Sequence, residues 1–212
     1  MDNLLEHFVT LWVVIDPIGT IPVFIAVTAG IEASARRRTA LQAALVSAGV
    51  LLFFLVFGQL LIEALDIGLQ SFQVAGGIIL FLFALSMIFG ESKPEVDQRV
   101  AEEDRQDQMH QHNPAIFPLA VPSLASPGAM LAIVILTDNH RYSLVDQGIT
   151  ALVMLAVLAA AFVLMLLAEP IIRLIGHSGA AIISRVMGMI LASVAANSVL
   201  SAMLEIIKTG QL

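Results

Sequence analysis

The sequence predicts an all-α membrane protein in which six transmembrane helices form two inverted three-helix repeats, with helices one and four broken at mid-membrane. Three observations predict it. Of the 212 residues, 58% are hydrophobic and 13% charged, and the mean hydropathy is +0.93. That is more apolar material than a soluble core of this length needs. Six apolar runs each approach the roughly 20 helical residues that cross about 30 Å of hydrocarbon. Two of these runs are interrupted by similar strings, Ile15-Asp16-Pro17-Ile18-Gly19 and Ala125-Ser126-Pro127-Gly128, whose Asp-Pro and Ser-Pro pairs lie 110 residues apart.

The first run, Leu4 to Ala29, has Asp16-Pro17 at its middle. The pair reads as a helix start: Asp16 accepts a backbone N–H of Ile18 or Gly19 as N-cap, and Pro17 takes the first helical position, where its missing donor costs nothing. The second run spans Ala40 to Leu65 and follows a loop carrying Arg36, Arg37 and Arg38. Those arginines read as a topology anchor, with lipid or partner recognition as the alternative. The third run, Phe72 to Phe89, holds Gln73 ahead of Gly76-Gly77, glycines that suit close helix packing. A charged linker over 91–114 separates a first repeat at 1–90 from a second at 115–212, all within one integral membrane domain. The fourth run, Ile116 to Leu136, breaks near Pro127, with Ser126 as N-cap. The fifth runs from Ile149 to Ala168. The sixth, Ala181 to Ile207, places Ser193 and Asn197 at i and i+4 on one face.

Further landmarks recur at nearly the same offset, Ile67-Gly68 with Ile175-Gly176 and Gly77-x-Ile79-Leu80 with Gly188-x-Ile190-Leu191. Three spans per half is an odd number, so the second half enters from the opposite face. Sidedness follows from Lys and Arg. The segments after spans one, three and five hold Arg36, Arg37, Arg38, Lys93, Arg99, Arg105 and Arg173, with Arg185 near the same face. The other side holds Arg141 and Lys208. Both termini are therefore expected outside, and the arginine-bearing loops in the cytoplasm. No Lys or Arg precedes the first run, and that run is too long for a signal-peptide core, so it is expected to stay in the protein.

Several function classes are excluded. The chain has no cysteine, which removes disulfides, thiolate metal sites and thiol catalysis. A net charge of −7 argues against nucleic acid. No His-Glu-x-x-His, Gly-x-Ser-x-Gly or phosphate-loop string occurs. His110-x-His112 beside Asp107 reads as solvated loop rather than a metal pair. No catalytic residue, metal or cofactor is expected.

A helix start at mid-bilayer survives only where protein or a watery cavity surrounds it. There it presents amides and a positive dipole end to an anionic group, a pattern of secondary transporters. Pro17, Pro22 and Pro127 also withhold donors from the carbonyls of Val13, Ile18 and Ser123. The candidate substrate-binding residues are Asp16, Gly19 and Thr20 in the first half, Ser123, Ser126 and Gly128 in the second, and Asn197 on the sixth span. The helix-break residues are Pro17, Pro22, Pro122 and Pro127. The plainer alternatives are kinked packing for the prolines, capping for Asp16 and the hydroxyls, and interhelical hydrogen bonding for Ser193 and Asn197. Glu63 and Glu169, near the ends of spans two and five, read as interfacial.

The strings Asp16-Pro17-Ile18-Gly19-Thr20-Ile21-Pro22-Val23-Phe24 and Pro118-Leu119-Ala120-Val121-Pro122, with Ser126-Pro127 after the second, resemble the MarC family. Gly76 to Phe81 and Arg185 to Gly188 resemble its third and sixth spans, so the likeness covers nearly the whole chain. It implies a bacterial or archaeal inner-membrane protein of six spans, related to amino acid exporters of the LysE type. The motif positions it implicates are Asp16, Pro17, Gly19, Pro22, Pro122 and Pro127, and many members carry glycine where this chain has Ser126. The expected activity is alternating-access transport of small neutral amino acids, with the substrate carboxylate at the amides near Gly19 and Gly128 and its ammonium at freed carbonyls or Asp16. Coupling to a proton or sodium gradient stays open, as do a passive channel or facilitator and an efflux carrier for other small solutes. An intramembrane enzyme built on Asp16 lacks a second buried carboxylate. The expected partners are a small-molecule substrate and the lipid bilayer, with glycine-rich faces that suit internal packing or a homo-oligomer.

Overall fold

Long apolar segments in lipid satisfy their backbone internally, and the helix is the local way to do so. The structure, a computed structural model, describes residues 2–28, 31–89, 113–139 and 141–209, and among them there is no strand. Nearly all of the charged linker, with Asp107, His110 and His112, lies outside the described residues. The helices are α1 (Asp2–Ile15), α2 (Thr20–Val27), α3 (Ala33–Ala64), α4 (Leu69–Phe89), α5 (Ala115–Leu124), α6 (Pro127–Leu136), α7 (Leu144–Leu166) and α8 (Ala168–Thr209). By length and apolar character α3, α7 and the Arg185–Lys208 part of α8 can each cross a membrane, and α5 with α6 forms a fourth such unit bent by 53°.

Local chemistry explains the boundaries. Ser126 caps α6 by accepting the Ala129 N–H at 3.1 Å, with Pro127 in the first turn. Ser143 and Asp146 cap α7 reciprocally. Three differences from the sequence expectations have clear causes. Arg36, Arg37 and Arg38 lie in the first turns of α3 rather than in a loop, because alanine and arginine are strong helix formers that carry the helix beyond the apolar run. In α5, Phe117 and Val121 are extended, each preceding a proline whose ring disfavours the helical conformation one residue upstream. The fourth segment is thus interrupted before Pro118 and Pro122 as well as at Pro127. Finally, α2 begins at Thr20, not Pro17: Asp16 adopts φ 51°, the left-handed region that Asp tolerates better than most residues.

Buried side chains such as Leu11, Ile15, Leu119, Leu124, Ile133, Met154 and Leu191 fill the centre. Leu45 and Val56 of α3, Leu152 of α7 and Leu200 of α8 face outward, an arrangement hydrocarbon accepts without cost. Glycines permit the closest approaches. A β-carbon on Gly77 of α4 would fall 2.6 Å from Val199 Cγ2 and 3.3 Å from the Ala195 carbonyl of α8, and one on Gly76 would overlap Leu131 of α6. Both glycines are engaged in internal packing. Beside them, buried Gln73 donates from Nε2 to the Ser198 carbonyl at 3.2 Å.

The largest helix interface joins α4 to α8. Around it, α3 packs on α5 and α7 on α1; α4 packs on α6 and α8 on α2; α3 packs on α6 and α7 on α2; α1 packs on α6 and α5 on α2. The two interrupted segments therefore meet in the interior, framed by α3 and α7.

Candidate functional site

Where α1 stops, the chain turns through Pro17 to Gly19 before α2 resumes at Thr20. The Asp16 side chain is buried, and its Oδ1 accepts the Gly19 N–H at 2.9 Å. This is one of the two capping bonds expected of Asp16. The Asp16 carbonyl accepts from the Thr20 hydroxyl at 3.0 Å and from the Thr20 N–H at 3.2 Å. A β-carbon on Gly19 would overlap the Asp16 carboxylate, so only glycine lets the turn close this tightly. The Ile18 carbonyl, expected to be left free by Pro22, instead accepts the Ile21 N–H at 3.1 Å, a tighter three-residue bond that rescues the acceptor.

The second break lies directly against the first. Ser126 Oγ donates to the Val14 carbonyl at 2.9 Å while accepting from Ala129. One hydroxyl thereby caps α6 and satisfies an acceptor at the end of α1. The hydroxyls of Ser123 and Thr20 lie 3.3 Å apart. Gly128, in the first turn of α6, is buried, and a β-carbon there would overlap Leu80 of α4. Ser47 of α3 frames the same region: its hydroxyl donates to the Ala43 carbonyl at 2.8 Å and lies 3.3 Å from the Ala120 carbonyl.

Of the sequence-derived candidates, the structure brings together Asp16, Gly19, Thr20, Ser123, Ser126 and Gly128. Pro17 and Pro127 stand at the two breaks, Pro22 in the first turn of α2, and Pro122 in α5. Asn197 stands apart, exposed on α8, as does Ser193, whose hydroxyl bonds to its own helix at Met189. Glu63 and Glu169 are exposed.

Sequence reasoning passed over a second polar group beyond the end of α6. Asp138 is 2% exposed. Its carboxylate accepts from Gln59 Nε2 of α3 at 3.3 Å and pairs with Arg141 Nε at 3.6 Å. Arg141 also reaches Glu205 of α8. Nearby, buried His7 of α1 meets Thr150 of α7 at 2.8 Å. Thr150 uses its single hydroxyl hydrogen on the Asp146 carbonyl at 3.0 Å, which makes His7 Nδ1 the donor. The Tyr142 ring stands edge-on to His7, and burial, reinforced by Glu6, raises its phenol above the ordinary value. Asp138 follows an apolar run like any loop residue, so its sequence position carried no sign of burial.

Substituting Ser126 by alanine removes the α6 cap and leaves the buried Val14 carbonyl without that donor. A loss of about 1–3 kcal/mol is expected, to be read from thermal unfolding in detergent. Unchanged stability would show that water replaces the hydroxyl.

Two buried helix interruptions joined by hydrogen bonds, within an apolar helical frame, define an integral membrane protein. The comparisons agree: residues 1–207 match the family described as MarC family integral membrane protein, and the chain belongs to that family. It is 32% identical over 204 residues to a UPF0056 membrane protein of Archaeoglobus fulgidus, covering 93% of this chain and 91% of the relative. It is 32% identical over 200 residues to the UPF0056 membrane protein YvbG of Bacillus subtilis, covering 92% of each. It is 30% identical over 195 residues to the UPF0056 inner membrane protein YhgN of Escherichia coli K12, covering 92% of this chain and 93% of that one. No solved structure matches. Among the described residues, no group of three His, Asp or Glu converges to hold a metal ion.

Proposed function

We propose that the protein is a secondary transporter of small neutral amino acids, with its substrate site at the meeting point of the two broken segments. The observation that carries this reading is the pairing of the breaks, Ser126 to Val14 and Thr20 to Ser123, around a buried Asp16. Helix starts inside an apolar protein concentrate amide donors and positive dipole ends suited to a carboxylate. Asp16 supplies the opposite charge for an ammonium group. The hydroxyls of Thr20, Ser123 and Ser126 supply further polar contacts suited to a small substrate.

The helix contacts support an inverted repeat of six spans. Exchanging α1 with α5, α2 with α6, α3 with α7 and α4 with α8 converts the packing pairs described above into one another, and the α4–α8 and α3–α7 pairs into themselves, while the smaller α1–α8 contact has no such counterpart. A pseudo-twofold axis relates elements in this way. Alternating access follows as the rocking of one repeat against the other, with the Ser126–Val14 and Thr20–Ser123 bonds exchanging for bonds to substrate. The arginines at the N-terminal ends of α3 and α8 favour that side as cytoplasmic, which supports an outside position for both termini. The Escherichia coli relative is named an inner membrane protein, which supports the same membrane here. Coupling to protons or sodium is part of the proposal, with Asp16 as the carboxylate able to serve either ion.

The test is reconstitution of the full chain in liposomes, with uptake of labelled glycine, alanine, serine and leucine under imposed pH and sodium gradients. Saturable flux of the small substrates with counterflow is expected. Non-saturating flux would assign a channel, and no flux of any of them would overturn the proposal.

A further inference from the structure

We infer that the protein holds the headgroup of an anionic phospholipid in a basic cavity at one end of the helix bundle. The cavity, of about 480 Å³, lies where α3 begins and α7 ends. Both helices have the length and apolar character of membrane spans, so their common end marks a bilayer surface. Arg36, Arg37 and Arg173 line the cavity with Glu169 as the single carboxylate, a net charge of +2. Phe24, Ile25, Met165 and Leu166 supply apolar walls.

This combination selects an anion with an apolar body. Inorganic phosphate would satisfy the guanidiniums and leave the apolar wall uncovered, whereas a phosphodiester headgroup with its glycerol and the first acyl carbons covers both. Basic pockets between membrane helices bind lipid headgroups in this way. The neighbouring segment fits the same surface. In α8 the stretch before the break at Gly176 (φ 67°) exposes Leu174 beside Arg173, the pairing of apolar and cationic groups found in helices that lie along a membrane face.

Glu169 holds the cavity together without lipid. Its carboxylate accepts from Arg36 Nη1 at 3.3 Å and from Arg173 Nη2 at 2.5 Å. Arg36 also donates from Nε to the Ile31 carbonyl at 2.9 Å, which aims its guanidinium. Arg37 carries no ion pair among the described residues. A phosphodiester entering the cavity competes with Glu169 for Arg36 and Arg173 and finds Arg37 directly available. Glu169 is thus an internal competitor of the lipid, and neutralising it strengthens binding.

The experiment titrates the full chain in an uncharged detergent with dioctanoyl-phosphatidylglycerol, dioctanoyl-phosphatidylcholine and sodium phosphate, read by calorimetry. The wild type is expected to bind the phosphatidylglycerol at least about tenfold tighter than the phosphatidylcholine, with a comparable concentration of phosphate unable to displace it. At about fivefold per surface charge, R37Q weakens phosphatidylglycerol binding about fivefold, the R36Q/R37Q/R173Q variant abolishes the preference, and E169Q tightens binding about fivefold. Should the triple variant fail to fold, R37Q and E169Q decide the matter, because a purely structural role for the ion pairs gives no gain in E169Q. Equal affinity for the two lipids, displacement by phosphate, or unchanged binding in R37Q and E169Q would overturn the assignment.

Discussion

Replacing Gly19 by alanine is expected to destabilise the protein by about 2–4 kcal/mol, the size of other changes that break a buried bond and overpack its surroundings. The new methyl group would overlap the Asp16 carboxylate, which bonds to the backbone N–H of Gly19 itself. That side chain cannot simply swing aside. It is buried at 1% exposure, its backbone is held at φ 51°, and its carbonyl is tied to Thr20. Relieving the overlap therefore disturbs Thr20 and, through it, the contact with Ser123 on the other broken segment. Thermal unfolding in detergent provides the measurement, with Gly49→Ala as the control. Gly49 lies in α3, where an added β-carbon meets nothing within 4 Å, so that change is expected to be neutral or stabilising by up to about 1 kcal/mol. Equal stability of the two variants would refute the packing argument.

Asp16→Asn is expected to fold within about 1 kcal/mol of wild type, since asparagine also offers an oxygen to the Gly19 N–H and tolerates the left-handed conformation. Under the proposed function, transport is expected to fall by at least about tenfold, because an ionised carboxylate buried in a membrane protein is costly and marks an ion or substrate path by default. Asp16→Ala loses the acceptor as well and is expected to cost about 1–3 kcal/mol. The pair separates two roles for one side chain. Reconstituted flux in D16N equal to wild type at every pH tested would reduce Asp16 to a turn-forming residue. Loss of flux with an unaltered unfolding temperature assigns the charge to transport.

Both predictions rest on residues visible in the sequence and on a contact that was not. Asp16, Gly19, Ser126 and Pro127 stood out because charge, proline and glycine are rare inside apolar runs and each has a definite backbone consequence. The closeness of Gly76 and Gly77 to neighbouring helices was likewise legible from their lack of a side chain. Helical periodicity alone did not show where Asn197 would lie: a polar residue on an apolar helix gives a face but not which neighbour that face meets. Its exposure on α8 was decided by the packing of α4 along the opposite side. Asp138 escaped notice for the converse reason, since its partner Gln59 lies on α3 and is met only in the folded chain.

Hydropathy, proline positions and the recurrence of Asp-Pro and Ser-Pro by themselves determined that the chain is helical, belongs in a membrane and has interrupted first and fourth segments. Those features follow from local backbone chemistry and from the length of an apolar run, which a linear string records completely. Only the tertiary structure decided that Ser126 serves α1 and α6 together, that Thr20 meets Ser123, and that Arg36 and Arg173 share Glu169. The Ser126–Val14, Thr20–Ser123 and Arg36–Glu169 contacts each join residues more than a hundred positions apart. Their partners are chosen by how whole helices fill space against one another, and no local pattern encodes that choice.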